Sequence, residues 1–66
     1  MFEKNQNIMI NTAKVPYSHD FVGHGIKQAE VVAMEGPKDV LVRTELCENG
    51  AYYSGLISIP TESIVN

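Results

Sequence analysis

The sequence predicts one all-β domain, and three observations carry that prediction. Val and Ile supply thirteen of the eighteen Leu, Ile, Val and Phe residues, and Leu only three. β-branched side chains suit a pleated strand and lose rotamer freedom in a helix. Apolar residues alternate with polar ones over much of the second half. Two turn signals, Gly36-Pro37-Lys38-Asp39 and Asn49-Gly50, punctuate that alternation at hairpin spacing.

The elements follow in chain order. Residues 1–6 are polar and read as a loose tail. Ile8 to Val15 alternates well enough for a first strand, which Pro16 ends because proline cannot donate to a sheet ladder. Residues 16–25, with Gly23 and Gly25, read as a long loop whose Phe21 and Val22 fold back onto the core. Three strands then form an antiparallel meander: Gln28–Glu35, Asp39–Cys47 and Ala51–Ile59. A second reading of 26–35 is a short helix stopped by Gly36 and Pro37, which would make the fold α+β. The Val31-Val32 pair, the preceding glycines and the short length favour the strand. The chain closes with Pro60, a short polar turn and the β-branched pair Ile64-Val65 as a final strand.

Five short strands, a long first loop, tight central hairpins and a proline-turn-strand ending together resemble the small SH3-like barrels. The resemblance covers most of the chain and implies a five-stranded barrel around the meander. The aromatic groove residues of SH3 domains are missing, and there is no tryptophan. The ending Ile-Pro-Thr-Glu-Ser-Ile-Val-Asn is similar to that of plasmid-borne dihydrofolate reductases, which are tetrameric SH3-like barrels. Their active-site Val-Gln-Ile-Tyr stretch is not in this chain, so the similarity implies no such activity here.

Size and charge narrow the function. A chain of 66 residues makes one domain, 1–66, with a small core. Domains this small usually need a staple. The single Cys47 cannot form an internal disulfide, and an unpaired thiol fits the reducing cytoplasm. A homo-oligomer is therefore the expected staple. No apolar run reaches the ~18 residues of a membrane span, so no membrane partner is expected. Net charge is −3, and Lys4, Lys14, Lys27, Lys38 and Arg43 are scattered. That spread lacks the basic cluster of a nucleic-acid binder, which stays a disfavoured alternative.

The Asn49-Gly50 turn fixes a register. A two-residue loop pairs Glu48 with Ala51, Leu46 with Tyr53, Val42 with Ile57 and Val40 with Ile59, an apolar parity that belongs inside. On the other parity Arg43 faces Leu56 and Cys47 faces Tyr52. A four-residue loop at 36–39 extends the register to the preceding strand. It puts Val31 and Ala33 inside, and Val32 and Met34 opposite Arg43 and Leu41. It also sets Glu30 against Glu45, a like-charge pair that Lys27 or Arg43 would have to relieve, or that a loop of different length would remove. The outer face then carries Val32, Met34, Leu41, Tyr52 and Leu56 around Arg43, more apolar than a solvated sheet face should be. These six residues are the expected partner-binding site; the competing reading is that another segment of the same chain covers them.

Candidate chemistry is thin. His19, Asp20 and His24, with Cys47, are metal-ligand types, yet their spacing matches no zinc pattern and no metal or other cofactor is expected. Ser18-His19-Asp20 are adjacent and so cannot converge as a catalytic triad. Gly23-His24-Gly25 lacks the Lys-Ser/Thr of a phosphate loop. Tyr17, Phe21, Tyr52 and Tyr53 do not form one stacking platform. The expectation is a non-enzymatic binding module that takes a protein partner as regulator, inhibitor or adaptor and self-associates. A further variant is a small-ligand binder at a subunit interface near the glycine-rich loop.

Overall fold

A computed structural model describes residues 2–15, 25–48 and 51–65. All five strands are antiparallel: β1 (Asn7–Asn11), β2 (Ile26–Met34), β3 (Asp39–Glu48), β4 (Ala51–Pro60) and β5 (Ile64–Val65). One-turn 3-10 helices follow β1 (Thr12–Lys14) and β4 (Thr61–Ser63). The strands form one sheet in the order β4-β3-β2-β1-β5. Residues 26–34 are strand, so the α+β alternative does not form. A helix there would have cost β1 and β3 their common neighbour.

The sheet is rolled, and chain length demonstrates it. β4 and β5 are its two edges. In a flat sheet with strands ~4.8 Å apart they would stand about 19 Å from each other. Only Thr61–Ser63 separates Pro60 from Ile64. At ~2.0 Å per residue a 3-10 turn covers about 8 Å, and even extended chain reaches about 14 Å. The edges must therefore bend towards each other. Among the described residues no ladder joins β4 to β5, so the roll is not closed by hydrogen bonds.

Rolling gives the inner face its burial. Ile8, Ile10, Val31, Val40, Val42 and Ile59 are each at most 2% exposed and belong to one cluster, with Phe2, Ile57 and Ile64 packed against it. Three buried hydroxyls are also satisfied. Thr44 Oγ1 donates to the Gln28 carbonyl at 2.8 Å, and Ser63 Oγ donates to the Pro60 carbonyl. Thr12 Oγ1 accepts from the Gly25 N–H at 2.9 Å and donates to the Gly25 carbonyl at 3.0 Å. Gly25 sits at φ +98, a backbone state that L side chains rarely adopt. That clamp ties the 3-10 turn after β1 to the residue that precedes β2.

Several boundaries differ from expectation. The first strand ends at Asn11, because the Asn11 side chain accepts from the Ala13 N–H and caps a 3-10 turn. Residues 2–6 are held rather than loose. Asn5 donates to the Val31 carbonyl at 2.7 Å, and Val31 donates back to Gln6 at 2.9 Å. Asn5 takes φ 69 to make that turn, which asparagine tolerates better than most residues.

Candidate partner-binding face

The β3–β4 hairpin positions the centre of the face. Its ladder runs unbroken from Asp39↔Pro60 to Glu48↔Ala51 and includes every pair expected from the Asn49-Gly50 turn. Val40, Val42 and Leu46 are buried on one side. The alternate residues Arg43 and Leu56 face each other on the other side, with Leu41 opposite Ser58 two places along. Leu56 is 51% exposed and Leu41 half-buried. Tyr52 pairs with Cys47 in the ladder; the Tyr52 side chain lies outside the described residues.

β2 meets β3 differently from the expected register. Glu30 pairs with Arg43 and Val31 with Val42, then the register slips, and Ala33 pairs with Leu41 and Met34 with Val40. Val32 is the extra residue of a β-bulge, half-buried and without a ladder partner. The slip corrects two placements. Ala33, expected inside, is exposed on the outer face. Met34, expected beside Leu41 outside, shares the parity of Val40 at the open end of the sheet and is 38% exposed. The cause lies at the turn, where the Glu35 N–H donates to the Asp39 carbonyl at 3.0 Å, so the loop holds three residues rather than four.

The slip also removes the expected Glu30–Glu45 clash. Glu30 Oε1 lies 3.7 Å from Arg43 Nη1, an exposed ion pair in the middle of the face. Beside it a shallow groove of about 300 Å³ is lined by Asn7, Gln28, Glu30, Arg43, Glu45 and Ser54. This polar strip divides the face. Leu41 and Leu56 lie on one side of it; on the other Met9 pairs with Val65, 40% and 43% exposed. The Met9–Val65 pair was missed in the sequence. Its signal was present, since Met9 sits between Ile8 and Ile10, and a strand that buries those two must turn Met9 outward.

A second cleft, of about 530 Å³, opens at the sheet end among Lys38, Asp39, Pro60, Thr61 and Glu62. Its central backbone groups are already paired, because the Thr61 N–H donates to the Lys38 carbonyl at 2.8 Å. The candidate ligands His19, Asp20 and His24, the Ser18-His19-Asp20 run, and Tyr17, Phe21 and Val22 lie outside the described residues. Among the described residues no three His, Cys, Asp or Glu side chains converge. Cys47 is a free, half-buried thiol. No helix among them is long and apolar enough to cross a membrane.

Comparison adds no relative to this geometry. No protein-family model matches the chain, and neither a curated protein nor a solved structure matches it.

Proposed function

We propose that the chain is a non-enzymatic, cytoplasmic module that binds a protein partner through the outer face of β3 and β4, as a regulator, inhibitor or adaptor. Leu41, Arg43 and Leu56 form the centre of that face, Tyr52 extends it along β4, and Val32 borders it at the bulge. The observation that carries the reading is Leu56. A leucine 51% exposed in mid-strand, directly opposite an arginine and near half-buried Leu41, groups apolar area around a residue type enriched at protein interfaces. The Glu30–Arg43 pair supports it, because an exposed ion pair can exchange partners at little cost.

The test compares tagged wild type with Leu56→Glu in capture from native lysate, with nuclease present. Wild type should retain one dominant protein that Leu56→Glu loses at least tenfold, while circular dichroism shows the same sheet content. Equal capture by both would sink the reading. Capture that disappears with nuclease would transfer the face to nucleic acid.

A further inference from the structure

The groove between β2 and β3 carries an unbalanced charge beside the apolar part of the outer face. Every residue lining it is a described one, so its walls are defined. Two carboxylates, Glu30 and Glu45, stand against one cation, Arg43. Glu30 meets Arg43 at 3.7 Å, which is ion-pair range but too long for a hydrogen bond, so its carboxylate keeps acceptor capacity. Glu45 is exposed, and no ion pair among the described residues holds it. The side chains of Asn7, Gln28 and Ser54 are exposed too, and none bonds to another described residue.

That charge decides what can cover the face. A protein lying over Leu56 and Arg43 takes water from Glu45 as well, because Arg43 pairs with Leu56 and lines the same groove as Glu45. Burying a carboxylate without a partner costs far more than burying a paired one. An anion would meet two carboxylates and a guanidinium already shared with Glu30. A neutral side chain would leave Glu45 uncompensated. A cation with several N–H donors balances the groove and finds neutral acceptors at Asn7, Gln28 and Ser54. The volume, about 300 Å³, lies at the lower end of small-ligand sites and suits a single side chain.

We propose that the groove receives a lysine or arginine side chain from the protein partner, with Glu45 as its first acceptor and Glu30 as its second. The partner presents it on an extended segment that crosses the strands, two residues from an apolar side chain that lies on Leu56. The spacing fits. The line midway between β2 and β3 stands about 7 Å from β4, and alternate side chains of an extended segment are about 7 Å apart. The inference rests on the partner-binding reading of this face and names the chemistry of the partner.

Titration of the isotope-labelled full chain with acetyl-Leu-Ser-Lys-amide, followed by amide chemical shifts, tests it. The peptide should give saturable shifts at Gln28, Arg43, Glu45 and Leu56. Replacing its lysine by leucine should weaken binding about threefold, the scale of an exposed ion pair. Replacing it by glutamate should abolish the shifts. Glu45→Lys should reverse the order, so that the glutamate peptide binds and the lysine peptide does not. Glu45→Gln should erase the preference, and it decides the matter if Glu45→Lys fails to fold. A lysine preference that survives both Glu45 substitutions overturns the proposal. So do shifts gathered at Asp39 and Glu62 in the second cleft, or the lack of any saturable shift. Leu56→Glu is read separately, in lysate. Capture lost there, with the peptide order unchanged in Glu45→Lys, overturns the groove and spares the face. Equal capture with a reversed peptide order keeps the groove as a site for cationic side chains and sinks the Leu56 reading.

Discussion

The two hairpins of the sheet share β3, yet their registers are held by different means. β3 and β4 pair without interruption from Glu48↔Ala51 to Asp39↔Pro60. β2 and β3 pair through a slip at Val32. A two-residue connection leaves no slack: once Glu48 and Ala51 pair, every later pair is set. A three-residue connection at Gly36–Lys38 fixes only the pairs beside it. Farther along β2, burial of Val31 against Val42 takes over, and the bulge absorbs the misfit between the two demands. One hairpin is therefore specified by its turn, the other by its core.

The largest expected effect comes from the turn-specified hairpin. Ile59 is fully buried in β4 opposite Val40. Ile59→Ala should remove about 2–5 kcal/mol of unfolding free energy through lost burial and the cavity it leaves. Urea denaturation followed by circular dichroism measures it, and the transition should stay single. A loss under about 1 kcal/mol would show that β4 collapses into the space, and that its long ladder does not hold it rigid.

The core-specified hairpin should break more gently and more locally. Thr44 Oγ1 reaches across to the Gln28 carbonyl, beyond the bulge, where nothing from the turn fixes the pairing. Thr44→Val keeps the shape and removes the bond, at a cost of about 1 kcal/mol. Amide exchange should rise along β2 while the β3–β4 amides keep their protection. Equal acceleration in both hairpins would mean the two registers are not independent.

This difference also explains which features were legible in the sequence. The β3–β4 register was readable residue by residue because Asn49-Gly50 encodes it locally, and the Arg43–Leu56 pair at the centre of the face came with it. Val31 was correctly placed inside although its partner was not. Its register moved by two, and a shift of two keeps a side chain on the same face. Ala33 and Met34 moved by one and changed faces. The bulge was illegible because it arises from competition between a loop and a distant core pair, neither of which marks Val32. The hold on residues 2–6 was hidden for a similar reason. It depends on Val31 backbone groups that only a finished sheet presents.

The smallest effect lies where the two hairpins meet. Glu30 and Arg43 are both substantially exposed and 3.7 Å apart. A double-mutant cycle with Glu30→Gln and Arg43→Met should give a coupling below about 1 kcal/mol, since exposed pairs are solvated and mobile. Molar salt should erase it, because the screening length then falls to about 3 Å. So weak a term helps choose between registers of similar burial, favouring Arg43 over Glu45 opposite Glu30, but it cannot hold β2 in place alone. The cycle therefore discriminates between two origins of the slip. Weak, salt-sensitive coupling leaves the register to Val31 and Val42. Coupling of several kcal/mol that persists in salt would make the ion pair its cause, and Arg43 would then be a structural residue unable to turn towards a partner without disturbing β2.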